Sequence, residues 1–446
     1  MSAIIAVRRL IFLYFALLVF EGALRFWVLP SLSNLLLLVR DPVVILIYLL
    51  AGQAGIFPKN TAVGATIMLA LVTGMYGAVA GDGPILVTVY GLRANFLHLP
   101  LIYVMQRALS AENVMKIGKW SMWLMIPMAL LVVQQFRSPQ GSWINMGGMN
   151  TQYGTVRPAG TFSFVSGMVC YSALVASFLA NSFVSAKKGG WTLRILCSMA
   201  VLASLAVSGS RSSILSVGIV FVMLVGLSLV SGSAARGALA LLGVIGLGAA
   251  GLSSTEFFEE GQRQLSQRFE DSSGGDSVVS SSLQRVAGMA DYPMWAAQEA
   301  PIMGHGIGTG TLVGHFLTTG QRGFGGGQET ELGRIFHEMG IVFGSIFFVL
   351  RLGICIQMLR QGWGALRYGN LLPMLLFGAG GMNVLMGSWG IATTQGFATF
   401  TAGLCLASVK VGRPKKKKAV RRAEPEQARN DEPQLPDSGE PKGVQG

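Results

Sequence analysis

Cysteine and histidine are scarce in this chain, four of each among 446 residues, and charged residues make up only 12%. The cysteines, at 170, 197, 355 and 405, lie inside apolar stretches, and neither they nor His98, His305, His315 and His337 show metal-ligand spacing. This pattern offers no sequence signal of a metal site and leaves the cysteines as small packing residues. Gly306-Ile307-Gly308 lacks the flanking strand and helix of a dinucleotide fold. No solenoid-length repeat is present. The few charges cluster between apolar stretches instead of covering them, which excludes an ordinary water-soluble globule.

What is present is apolar: 51% hydrophobic residues and a mean hydropathy of +0.54. Windows long enough to cross a hydrocarbon core, at about 20 residues per helix, lie near 8–29, 60–81, 84–107, 118–136, 162–186, 211–230, 236–253 and 336–360. Shorter windows lie near 38–57, 193–208, 370–387 and 392–410. The expectation is an all-α polytopic membrane protein of twelve spans, with ten and eleven as the lower counts. Backbone groups in lipid must be satisfied within each segment, and these runs are too uniformly apolar for barrel strands.

Laid end to end, the windows divide the chain into nine helices over 1–253, a long loop over 254–335, three helices over 336–411 and a tail over 412–446. Arg8, Arg9, Lys59, Lys116, Lys119, Lys187, Lys188, Arg236, Arg360, Arg367 and the run Lys415 to Lys418 fall on one side. By the positive-inside rule that side is cytoplasmic and holds both termini. The long loop, with ten acidic residues against five arginines, falls on the other. Topology thus accounts for the net charge of +13, and no nucleic-acid partner is expected. Glu21 and Arg25 interrupt the first apolar run and no small-residue cleavage site follows, as expected for a first span. The tail composition predicts disorder, with its basic start lying against anionic lipid headgroups.

The loop reads as a polar stretch to about residue 282 and then an amphipathic helix from Leu283 to Pro301 containing Arg285, Trp295 and Glu299. Two glycine-rich stretches follow, Gly304 to Gly310 and Gly323 to Gly327. They allow tight turns and close backbone approach to a ligand.

Ser208-Gly209-Ser210-Arg211-Ser212-Ser213 sets an arginine at the junction of two apolar runs, where a fixed cation is costly without an anion to hold. Arg157 precedes the window 162–186 on the same outer side, and Arg40, Arg285, Arg322 and Arg334 complete a collection of guanidinium groups. Their planar forks suit a diphosphate better than a neutral sugar. Any one interfacial arginine is explained by snorkelling or by an acidic partner, but Arg211 has a flexible, polar setting of glycine and serines. Glu21 with Arg25, and Arg40 with Asp41, read as structural ion pairs. Glu329 and Glu331 stand where the chain re-enters the membrane, and a carboxylate there can accept a proton from a sugar hydroxyl. With no Asp-x-Asp pair on the outer side, metal-independent chemistry without a cofactor is expected.

Taken in order, these elements resemble the O-antigen ligase and O-antigen polymerase superfamily. The resemblance runs through Arg157 with Gly160-Thr161-Phe162, then Ser-Gly-Ser-Arg-Ser with Arg211 and Leu215, then Arg285. It continues in Pro301-Ile302-Met303-Gly304-His305-Gly306-Ile307-Gly308 and closes on Glu338-Met339-Gly340 with Gly344, covering residues 150–350. Upstream, Glu21-Gly22-Ala23-Leu24-Arg25 through Arg40-Asp41-Pro42 looks like a polymerase-like subgroup involved in exopolysaccharide production.

The resemblance implies a C-type glycosyltransferase of a bacterial cytoplasmic membrane, using a polyprenyl-diphosphate-linked oligosaccharide as donor and a glycan hydroxyl as acceptor on the non-cytoplasmic face. Membrane lipids and other polysaccharide-assembly proteins are its implied partners. By position, Arg157, Arg211 and Arg285 bind the diphosphate, and Arg211 also stabilises it as the leaving group. Arg322, Arg334 and Glu338 are accessory. Family ligases place a histidine nine residues before the glutamate of the Glu-x-Gly element, where this chain has Glu329. That replacement favours a polymerase of repeat units over a ligase to lipid or protein, with His337 nearby but out of register. A flippase binding the same lipid without chemistry is the reading from a different class; it would call for repeated halves or discontinuous helices.

Overall fold

The computed structural model describes residues 2–151, 154–185, 190–229, 232–273, 301–320, 330–412 and 446. Residues 413–445, and with them the tail expectation, lie outside the described residues. The described residues are mostly helical, with loops and a two-stranded antiparallel ladder pairing Met149 with Arg157 and Asn150 with Val156.

Among the described residues, eight helical segments are long and apolar enough to cross a membrane: Ser2–Val28, Thr61–Ala80, Ile85–Ala108, Ala111–Arg137, Val165–Val184, Arg211–Ser228, Ala234–Leu252 and Glu331–Leu366. Counting the bent pair Pro30–Leu36 with Arg40–Gln53 as one span gives up to nine. The chain is therefore an all-α, multi-pass membrane protein. Each of the eight long sequence windows coincides with one of the eight segments, and the four shorter windows are also helical, as Arg40–Gln53, Trp191–Val207, Leu372–Met386 and Ala392–Ser408.

The described α-helices of eight residues or more are α1 (Ser2–Ala23), α2 (Arg40–Gln53), α3 (Thr61–Ala80), α4 (Ile85–Leu92), α5 (Leu99–Ala108), α6 (Ala111–Arg137), α7 (Val165–Val184) and α8 (Trp191–Val207). They continue as α9 (Arg211–Ser228), α10 (Gly232–Leu252), α11 (Glu256–Ser273), α12 (Leu312–Thr319), α13 (Glu331–Leu366), α14 (Leu372–Met386) and α15 (Ala392–Ser408). Their starts carry local signals: Asn60 Oδ1 accepts from Val63 N, Ser110 and Asn113 form a capping box, and Thr330 Oγ1 accepts from Gly333 N.

Burial separates inner from outer helices. In an 18-residue window of the α7 span 83% of residues are buried, whereas in one of Ala234–Leu252 only 22% are. Every residue of α15 is buried. The peripheral helices instead expose Leu71, Val79, Leu130, Val222 and Leu247, an apolar exterior suited to lipid.

Contacts define two ends. At one, Arg8 donates to Ala108 O, Arg107 to Phe57 O, and Lys410 to the carbonyls of Gln106 and Leu109. At the other, Thr161 Oγ1 donates to Val19 O, Ser163 Oγ to Glu21 Oε1 and Ala23 N to Thr161 O, and Ser166 bonds Thr394, which joins 155–167 to residues 19–41 and 389–394. The bonds described below join these to 82–98, 304–311 and 331–338.

Two features of the long loop differ from expectation. Its first part is not a plain polar stretch: 256–273 forms α11, which packs against α8 so closely that a Cβ on Gly261 would lie 2.2 Å from Ala206 O. The polar composition masked an amphipathic helix that turns Gln264 and Gly261 inward. The chain also becomes helical at Glu331, and Gly340 breaks that helix with φ 62° and ψ −173°. The predicted amphipathic helix over 283–301 lies almost wholly outside the described residues, only Pro301 being described.

Candidate functional site

Arg157 occupies the second strand of the small ladder. The loop after it is fixed by buried Gln135, whose Oε1 accepts from Gly160 N and whose Nε2 donates to Gly160 O. The side chain of Arg157 runs beside the turn between α8 and α9: a Cβ on Gly209 would lie 3.8 Å from Arg157 Cγ. Gly209 makes that turn at φ +50°, a conformation glycine adopts without penalty. Ser210 then precedes α9, and Arg211 is its first residue.

Arg157 and Arg211 therefore belong to one locality. The helix dipole adds positive potential, because the N-terminal end of α9 is where Arg211 sits. The buried Ser210 Oγ has no hydrogen-bond partner among the described residues. Gln264 of α11 completes this wall by accepting from Thr155 Oγ1 at 2.8 Å, while its Nε2 donates to Glu260 Oε1. Arg285, Arg322 and Glu329 lie outside the described residues.

Arg334 and Glu338 are in a different situation from the outer arginines the sequence suggested. Arg334 is buried, donating to both oxygens of Glu331, to Glu338 Oε2 and to Asn95 Oδ1, all at 2.8–2.9 Å. Arg351 donates to Glu331 Oε1 at 2.6 Å and to the carbonyls of Val384 and Gly387, with its guanidinium 4.2 Å from the Trp389 ring centroid. Glu331 also accepts from Trp389 N. These charges neutralise one another inside the protein and hold the start of α13 to α14 and to the turn before α15.

A second buried network corrects the pairing of Arg40 and Asp41. Arg40 is fully buried and donates to Glu21 Oε2, Tyr14 Oη and Ala392 O, so it is not an outer-face cation. Asp41 instead accepts from Arg93 Nε and bonds His98 Nε2, whose other ring nitrogen meets Tyr14 Oη. Arg25 does approach Glu21, at 3.8 Å, but Arg40 at 2.9 Å is the nearer partner. Adjacent residues on a helix point about 100° apart, which sends Arg40 and Asp41 to different neighbours.

A largely apolar cavity of about 760 Å³ lies beside this network, bordered by Leu37, Asp41, Tyr90, Arg93, Leu312 and Phe316. The buried Arg93 Nη1 has no hydrogen-bond partner among the described residues.

The glycine stretch after Pro301 approaches protein backbone. A Cβ on Gly304 would lie 2.4 Å from Gly340 N, and one on Gly308 2.2 Å from Val87 O. His305 N donates to His337 O and Gly306 N to Glu338 O, tying the stretch to the α13 break, while Asp82 N donates to His305 O. There His305 Nδ1 is 2.6 Å from Asp82 Oδ2, and its ring stacks on His337 with centroids 4.4 Å apart. Sequence reasoning missed this group because Asp82 and His305 are separated by 223 residues. Each alone carried no signal. No group of three or more His, Cys, Asp or Glu among the described residues is arranged to hold a metal ion.

No protein-family model, curated protein or solved structure matches this chain.

Proposed function

We propose that this protein is a lipid-linked glycosyltransferase of the O-antigen polymerase type, joining glycan repeat units from a polyprenyl-diphosphate donor onto a sugar hydroxyl. The observation that carries the proposal is the packing of Arg157 against the Gly209 turn at the start of α9, beside Arg211. Two guanidinium groups and a helix N-terminus suit a diphosphate, which gains negative charge as it departs, and cations already in position stabilise that charge in the transition state. The apolar cavity with Arg93 at its border supports an amphipathic lipid substrate.

In this proposal the chain crosses the cytoplasmic membrane of a bacterium twelve times with both termini cytoplasmic, the four shorter helices serving as spans. The end carrying Arg157, Arg211 and His305 then faces outward, where lipid-linked glycans are assembled. A ligase transferring the same donor to a different acceptor shares every one of these features. A flippase draws on one observation of its own, the buried ionisable chain from Glu21 through Arg40, Tyr14 and His98 to Asp41 and Arg93, since such intramembrane groups mark ion and proton pathways.

Reconstitution in proteoliposomes with a purified polyprenyl-diphosphate repeat unit tests the proposal. Long glycan chains are expected. A single addition to a distinct acceptor points to a ligase, and movement of the lipid across the bilayer without bond formation removes the enzymatic reading.

A further inference from the structure

Asp82 follows α3 in the short turn before α4, His305 sits in the glycine stretch, and His337 ends the helical turn before the Gly340 break. Three backbone hydrogen bonds hold these segments without help from side chains: Asp82 N to His305 O, His305 N to His337 O and Gly306 N to Glu338 O. The Tyr76 hydroxyl adds a fourth, to Gly304 O. The Asp82–His305 contact is thus not needed to fasten the loop, and the Asp82 side chain is 68% exposed, where an ion pair contributes little to stability.

We infer that Asp82 and His305 form the proton acceptor for the incoming sugar hydroxyl, with His305 as the catalytic residue and Asp82 as its positioning residue. The inference rests on the transfer reading above. Asp82 bonds Nδ1 at 2.6 Å, which places the ring proton on that nitrogen and leaves Nε2 as the acceptor. His337 covers one ring face at 4.4 Å and limits rotation. The titratable groups around the ring are Asp82 from the α3–α4 turn, His337 from its own turn, and Glu338. Glu338 turns away to Arg334 and Asn95.

In the step, the acceptor oxygen forms a bond to the anomeric carbon as its proton passes to His305 Nε2. The bond from the anomeric carbon to the phosphate oxygen breaks, and its electron pair leaves with the diphosphate. The proton then passes from His305 to water.

The test is steady-state kinetics of full-length protein in proteoliposomes, with polyprenyl-diphosphate repeat unit as the varied substrate. His305→Gln is expected to lower kcat by at least about a hundredfold, the usual range for a general base, while KM for the donor stays within about twofold. Asp82→Asn is expected to lower kcat by about tenfold and Asp82→Glu to regain part of it. The double variant His305→Gln with Asp82→Asn should be no slower than His305→Gln alone, because the two act as a unit. Asp82 is exposed, so its variants keep the test decisive should His305→Gln fail to insert. If wild type polymerises and His305→Gln or Asp82→Asn turns over at its rate, or the loss is in KM alone, the assignment is overturned and the transfer reading stands. No polymer from wild type overturns both.

Discussion

Glu331 Oε1 and Arg351 Nη1 are 2.6 Å apart although twenty residues separate them in one helical segment. A straight helix rises about 1.5 Å per residue and would hold them roughly 30 Å apart, well beyond the reach of the two side chains. Gly340 resolves the conflict: residues 331–339 fold back along 341–366. Phe336 and Gly344 agree, since a Cβ on Gly344 would meet Phe336 Cδ1 at 2.8 Å. The reversal carries the Arg334–Glu338 pair into the bundle and presents His337 to His305.

Replacing Gly340 by alanine should undo this reversal. Its φ of 62° is unfavourable for any L side chain, and the new Cβ would lie 2.2 Å from Ile302 O. Strain of this kind costs on the order of 3 kcal/mol. Gly353→Ala, at a position with nothing within 4 Å of the added carbon, should be neutral or slightly stabilising by helix propensity. Thermal unfolding in detergent checks the contrast, and equal midpoints for the two variants would contradict the fold-back.

Glu331→Gln should be among the most damaging single changes in the buried network. It removes the anion shared by Arg334 and Arg351, leaving Arg351 buried with only carbonyl partners. Breaking a buried pair in this way costs about 3–5 kcal/mol. Adding Arg351→Met removes the stranded cation, so the double variant should be more stable than the sum of the singles by at least about 1 kcal/mol. Strict additivity in unfolding measurements would mean that the two residues are not energetically coupled.

Helices were legible in this sequence because lipid-spanning segments demand long apolar runs, and residues 392–410 remained readable even as a short window. Arg157 and Arg211 were also legible, each as a cation placed where an apolar run begins. The fold-back was not, because Gly340 sits in an otherwise unbroken apolar stretch and periodicity carries no sign of φ. Arg40 misled for a related reason: a loop-end arginine looks outward until Glu21 and Ala392, 352 residues away in the latter case, are brought to it. The glycines at 304 and 308 read in the sequence as positions of close approach to a ligand, whereas in the structure it is protein backbone that they approach. Their partners, Gly340 and Val87, are long-range and left no local trace.

Glu329→Gln separates the carboxylate base suggested by sequence from the histidine base suggested by geometry. If His305 takes the proton, Glu329→Gln should retain turnover within about threefold of wild type, well short of the hundredfold loss that removing a general base produces. The same proteoliposome assay measures this. A hundredfold loss on Glu329→Gln, with His305→Gln unaffected, would return the role to the carboxylate.

Arg211→Lys is the most informative change at the donor side, because it keeps charge while removing geometry. A lysine offers a single ammonium on a flexible stem, whereas guanidinium grips two phosphate oxygens at once in a fixed plane. If Arg211 stabilises a departing diphosphate, Arg211→Lys and Arg211→Ala should both lower polymer formation by at least about a hundredfold, the scale seen when a preorganised charge stabiliser is lost. Arg157→Lys should weaken the donor interaction as well, appearing in KM to the extent that Arg157 holds ground state and transition state alike. Membrane insertion should be unchanged in all three, since Arg157 and Arg211 are only partly buried. Full polymer yield from Arg211→Lys would reduce Arg211 to a cation that anchors the start of α9, and the proposed diphosphate site would lose its central residue.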